Sequence, residues 1–128
     1  MIILGIDYGE AKIGLAISSG TLAAPLLVIK YKTIDELFVR IKKIAEEERA
    51  AKLVVGISER ESAKKAKKFG GDLAKYLELP VDFVDETLSS KDAQIMAIEA
   101  GIKRKKRKNM EDAYAAALIL QSYLDEKN

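Results

Sequence analysis

Asp7 closes the apolar run Ile2-Ile3-Leu4-Gly5-Ile6. A carboxylate at the end of a strand buried on both faces loses hydration that something else must replace. A turn aspartate accepting hydrogen bonds from nearby amides is the plain explanation; a ligand awaiting a cation is the chemical one. The glycines at 5, 9 and 14 keep side chains away from Asp7, so the backbone there can turn tightly and a ligand or metal can approach. Asp85 and Glu86 end a second apolar strand; side chains alternate along a strand, so only one of the two can face the same site. Asp112 shares a helical face with Ala115, Ala116 and Ile119, the face expected to pack on a sheet, with two alanines permitting close approach. An acid in the first turn of a helix is also favoured by the helix dipole. Glu111 aligns instead with Tyr114, Leu118 and Ser122 and is the fallback.

The chain has no cysteine and no histidine. That excludes disulfides, thiolate nucleophiles, iron–sulfur clusters, imidazole bases and His-type zinc sites. Chemistry is left to carboxylates, lysines, hydroxyls or a hard metal ion, and oxygen ligands suit Mg2+ or Mn2+. Three acids gathered at one sheet edge repel one another unless a divalent cation neutralises them, and such a cation can activate water and stabilise charge on a phosphoryl group. The combination points to metal-dependent phosphodiester hydrolysis.

The formal charge of +2 conceals an uneven distribution. Lys103, Arg104, Lys105, Lys106, Arg107 and Lys108 are six consecutive cations; without them the 22 basic residues fall to 16 against 20 acidic, a net of −4. Charge concentrated in this way suggests a polyanionic partner, with a solvated connector as the plainer alternative. The longest uncharged stretch, residues 13–29, is too short for a membrane span and is interrupted by Ser18, Ser19, Gly20 and Pro25. The opening residues show no secretory signal. No membrane association and cytoplasmic localisation are therefore expected.

The elements that must position these residues follow from patterning. Residues 2–7, 12–18 and 25–31 read as strands joined by short connections, hence as antiparallel neighbours. Thr33-Ile34-Asp35-Glu36 is a capping box opening an amphipathic helix. Leu53-Val54-Val55-Gly56-Ile57 reads as a strand buried on both faces, followed by a second capping box, Ser58-Glu59-Arg60-Glu61. The helix after it turns Lys64, Lys65, Lys68 and Lys75 outward, a second basic surface. A last strand spans residues 81–86, and Ser89 or Ser90 can cap a helix ended by Gly101. The cationic run is then expected as a loop, with Asn109 capping a largely buried final helix to about residue 125. The order β-β-β-α-β-α-β-α-α gives an α/β fold, a mixed five-stranded sheet with helices on both faces, in a single domain over residues 1–128. Right-handed crossovers bring the ends of the first and last strands to one edge, so Asp7 and the Asp85-Glu86 pair converge there. One intervening strand would leave their backbones about 10 Å apart.

With these residues in place the chain resembles the YqgF/RuvX family, RNase H-like domains linked to Holliday junction resolution and to nuclease maturation of ribosomal RNA precursors. The resemblance spans essentially the whole chain. It rests on Gly5-Ile6-Asp7-Tyr8-Gly9 with Ile13-Gly14-Leu15-Ala16, on Ala24-Pro25-Leu26, Val54-Val55-Gly56 and Asp85-Glu86, and on Asp112-Ala113 with Ala115-Ala116, Ile119-Leu120 and Tyr123-Leu124. The opening motif is also similar to the phosphate loop of sugar kinases and actin-like ATPases, which need a second comparable domain that this chain is too short to supply. The resemblance implies Asp7, Glu86 and Asp112 as catalytic, metal-holding acids, favouring Glu86 over Asp85. Ala11-Lys12, Ser19, Ser58 and Thr87 replace residues usual in the family, which thins the arginines able to grip phosphate. Lys12, Arg60 and the run from Lys103 to Lys108 are the expected substitutes. The expected activity is a Mg2+- or Mn2+-dependent nuclease acting on an rRNA precursor or branched DNA, as a monomer or homodimer. The rival expectation is a non-catalytic nucleic-acid-binding or ribosome-assembly module of the same fold.

Overall fold

The structure is a computed structural model that describes residues 1–57, 60–85 and 104–127, the side chains of residues 60–62 and 104–108 excepted. Strands β1 (Ile2–Asp7), β2 (Lys12–Ser18) and β3 (Ala23–Lys30) form the antiparallel meander. Helix α1 (Ile34–Glu48) leads to β4 (Ala50–Ile57), and α2 (Arg60–Leu77) to β5 (Val81–Asp85). The last described element is α3 (Arg104–Lys127). The sheet order is β3-β2-β1-β4-β5, with β4 parallel to both β1 and β5. One strand, β4, thus separates β1 from β5, the case in which their ends lie about 10 Å apart.

Alternation along the central strands fills two layers. Leu4, Ile6, Ile13, Leu15, Leu53 and Val55 pack against Leu37, Ile41 and Ala45 of α1 and Ala66, Phe69 and Leu73 of α2. Ile3, Ala16, Val54 and Val84 point the other way, onto Ala116, Ile119, Leu120, Tyr123 and Leu124 of α3. Burial on both faces explains why β1 and β4 read as unbroken apolar runs. The Thr33 hydroxyl accepts from the Glu36 backbone N–H at 3.2 Å, the expected N-terminal cap of α1. Pro25 is tolerated because β3 is an edge strand and a bulge leaves Leu26 unpaired between the Leu15–Leu27 and Ala16–Pro25 pairs.

One expectation is overturned. Residues 104–108 are not a loop capped at Asn109; α3 begins at Arg104 and carries them in its first turns. Lysine and arginine are good helix formers and no glycine or proline interrupts the run, so propensity prevails over like-charge repulsion. The last described residue of β5 is Asp85. The helix expected after Ser89 and the capping box at Ser58 lie outside the described residues.

At the far end of α3 a polar cluster fixes the helix to the sheet. Lys52 Nζ lies 2.7 Å from Asp82 Oδ2 and 2.6 Å from the Tyr123 hydroxyl, which donates to Asp82 at 2.8 Å. The Lys52 ammonium, then the Tyr123 hydroxyl, hold the Asp82 carboxyl below its ordinary value, and the Asp82 carboxylate raises Lys52. A depressed carboxylate contributes stability above its unfolded value, near pH 4, that is lost as pH falls through the lower folded value. Urea unfolding should therefore show Asp82→Asn less stable than the native chain at neutral pH, with the gap closing in that acid window.

Candidate active site

Asp7 is the last residue of β1, and it is partly buried. Ile3 and Gly5 face α3 while Leu4 and Ile6 face α1 and α2, so alternation turns Asp7 toward α3. Its cross-strand partner in β2 is Gly14.

Helix α3 comes to this point by close backbone contact. A Cβ built on Gly14 would lie 1.8 Å from the backbone oxygen of Asp112 and 2.7 Å from the Ala113 nitrogen. A Cβ on Gly5 would lie 2.8 Å from Leu120 Cβ and 3.0 Å from the Ala116 oxygen. Both separations are impossible for a side chain, so the two glycines are where the helix sits on the sheet. Matching Asp112 to Gly14, Ala116 and Leu120 to Gly5, and Tyr123 to Lys52 beside Ile3 shows that α3 runs antiparallel to β1. Asp112 consequently arrives at the end of β1 where Asp7 stands. The glycines at 5 and 14 admit a helix here, where the sequence suggests room for a ligand. Ala116 makes the expected close approach, whereas Ala115 packs with Tyr114 in a separate small cluster.

Lys12 opens β2 and places its ammonium 3.2 Å from Asp112 Oδ2, with side chains 54% and 30% exposed. The expected phosphate contact is thus already engaged with one of the acids. An exposed pair of this kind adds at most about 1 kcal/mol of stability. The turn between Asp7 and Lys12 is tied down on three sides. Tyr8 stacks on Phe69 of α2 with ring centroids 4.5 Å apart, Glu10 pairs with Lys65 of α2, and the Tyr31 hydroxyl donates to the Gly9 carbonyl. Burial, then the neighbouring Tyr8 phenol, pushes the Tyr31 hydroxyl up to about 12. Because the folded value exceeds the unfolded one, this hydroxyl contributes stability that is complete below about pH 10 and is lost as pH rises toward 12. Absorbance titration should find one tyrosine ionising late, and Tyr31→Phe should remove it. The bond from Tyr31 to Gly9 and the pairing of Lys65 with Glu10 escape a reading of the sequence because each is a cross-element contact that no local spacing encodes.

The remaining candidates divide by position. Asp85 pairs with Ile57, which packs on the α1–α2 side, so Asp85 faces away from Asp7 and Asp112. Glu86 and Lys103 lie outside the described residues. Arg60 begins α2, at the edge where β4 ends, and Arg104, Lys105, Lys106, Arg107 and Lys108 precede Asp112 on α3. The described residues contain no group of three metal-ligating side chains; Asp7 and Asp112 are the part of the acidic trio they hold. The Lys12 ammonium beside Asp112 is a competitor for a metal ion there; the two half-buried carboxylates at this strand end are themselves hard oxygen donors. That chemistry fits Mg2+ or Mn2+. No described helix is long and apolar enough to cross a membrane.

Residues 1–126 match the family described as "RuvX: Holliday junction resolvase". The "Putative pre-16S rRNA nuclease" of Halothermothrix orenii is 38% identical over 136 residues, covering 100% of this chain and 97% of the relative. The protein of the same name from Dictyoglomus thermophilum is 35% identical over 136 residues, covering 100% and 98%. Among solved structures, Thermus thermophilus RuvC bound to a Holliday junction superposes with a TM-score of 0.64 at 20% identity, covering 98% of this chain and 96% of that one. The fowlpox virus resolvase with Holliday junction DNA gives 0.68 at 14%, covering 99% of both. These structural likenesses show the fold, that of RuvC-like RNase H domains.

Proposed function

The chain belongs to the RuvX Holliday junction resolvase family, and from that membership and the geometry of its acids we propose that it is a divalent-metal-dependent nuclease. It hydrolyses phosphodiester bonds in structured nucleic acid, either at the 5′ end of a ribosomal RNA precursor or at a DNA junction. The observation that carries the reading is the convergence of Asp7 and Asp112, fixed by the packing of the Asp112 backbone on Gly14.

Asp7 and Asp112, with Glu86 assigned by family resemblance, are the residues that would hold Mg2+ or Mn2+. Bound there, the cation supplies a Lewis acid for a phosphoryl oxygen and lowers the pKa of water. The orientation of Asp85 supports Glu86 as the third acid. Lys12, beside Asp112, offers a point charge to the scissile phosphate, and Arg60 with residues 103–108 holds the flanking backbone. Lys12→Gln should change stability by less than about 1 kcal/mol and reduce the salt slope of substrate binding by about 1; an unchanged slope would remove Lys12 from the contact set. A junction substrate calls for two such sites, hence a homodimer, and an RNA end for one. The cytoplasm is the fitting compartment for either task.

Purified protein should cleave precursor-rRNA ends or four-way junctions with Mg2+ or Mn2+ and lose that activity to a chelator. The same fold acting as a non-catalytic binding module is favoured by one observation, the neutralisation of Asp112 by Lys12. It predicts salt-sensitive binding with no metal-dependent turnover.

A further inference from the structure

We propose that the outer face of α2 is a second phosphate-binding track, which grips the backbone of the nucleic-acid substrate where it leaves the acidic edge. The proposal rests on the nuclease reading above and adds a surface that leads away from the acids.

Lys64, Lys67, Lys68 and Lys75 are all exposed. At 100° per residue they fall on one stripe, opposite the buried Ala66, Phe69 and Leu73. The stripe extends about 16 Å along the helix axis, long enough to follow about five phosphates of one strand. It starts beside the candidate active site, because Lys65 of the same helix pairs with Glu10 and Phe69 stacks on Tyr8, both in the turn that follows Asp7.

Gly71 gives an independent indication. It lies in the middle of the lysine stripe, seven residues after Lys64 and four before Lys75. A glycine inside a helix is destabilising relative to alanine and calls for a reason. Its neighbour Gly70 has one, since a Cβ there would lie 2.7 Å from the Phe83 ring. A Cβ on Gly71 would meet nothing within 4 Å, and the residue has no positive φ. Nothing within the described fold requires Gly71, whereas a backbone laid between the lysines would profit from the missing side chain. Four ammonium groups flanking a gap match a polyanion with a regular charge spacing. They offer no forks for bidentate recognition, so the track contributes affinity without sequence preference.

The test measures binding of a four-way junction and of a precursor-rRNA hairpin as a function of salt, in Ca2+ to suppress cleavage. The full chain is compared with Lys64→Gln/Lys67→Gln/Lys68→Gln/Lys75→Gln, with Gly71→Leu, and with the control Arg40→Gln/Lys43→Gln on α1. The quadruple variant should lower the salt slope by about 3, and Gly71→Leu should weaken binding about tenfold or more while its Tm does not fall. The control should bind like the native chain. An unchanged slope and affinity in the quadruple variant, with cleavage by the native chain intact, would overturn the track and leave the nuclease reading standing. An equal loss per charge in the control would overturn it as well, by showing a net-charge effect. Failure of the native chain to bind either nucleic acid, or a preference of the stripe for an acidic peptide, would overturn track and nuclease reading in the first case and the track alone in the second.

Discussion

Asp7→Asn should lower metal-dependent cleavage by about 10³-fold or more while leaving nucleic-acid affinity close to that of the native chain. The substitution keeps the size and shape of a side chain that occupies the end of a central strand, so packing there is preserved. What it removes is a negative oxygen donor from a site with no histidine or cysteine to compensate. Binding is retained because it depends on lysines and arginines elsewhere. Single-turnover cleavage with saturating Mn2+, beside a filter-binding curve, separates the two effects. Cleavage at the native rate would remove Asp7 from the chemistry.

Of the methyls that could be added at the described glycines, that of Gly14→Ala should do most damage. The new carbon would stand 1.8 Å from the Asp112 oxygen and 2.1 Å from its carbonyl carbon. Both atoms belong to backbone, so relief requires α3 to move off the sheet. Overpacking of this severity costs about 3 kcal/mol or more, which at this chain length lowers Tm by roughly 10 °C. Activity should fall further than stability, since moving Asp112 by about 1 Å relative to Asp7 costs about a hundredfold in a positioned site. Urea midpoints and cleavage rates measured well below the Tm test the two parts. Native stability in this variant would mean that α3 does not rest on Gly14.

The residues that formed readable patterns were those whose partners are close in sequence. The meander of β1, β2 and β3 follows from short connections between apolar runs, and the start of α1 from the Thr33 cap. The cationic run was legible as charge and misleading as structure: repulsion suggests a loop, but residues 104–108 are strong helix formers that continue α3. Asp112 could be assigned to the packed face from its spacing to Ala116 and Ile119. Its seat on Gly14 could not, because the register of a helix on a sheet is set by side chains far apart in the chain. The glycines carried a signal whose meaning only the fold supplies. Gly5 and Gly14 make room for a helix, Gly70 for the Phe83 ring, and Gly71 for nothing inside the described fold. The Lys12–Asp112 ion pair was likewise hidden, although both residues were singled out, because their proximity depends on β2 and α3 meeting at one edge.

Binding of Mn2+, followed by electron paramagnetic resonance of the free ion in the absence of nucleic acid, tests the shared site of Asp7 and Asp112 without passing through activity. The native chain should withdraw Mn2+ from solution, and Asp7→Asn and Asp112→Asn should each abolish that uptake, because both carboxylates serve one ion. Undiminished uptake by both variants would mean that they do not.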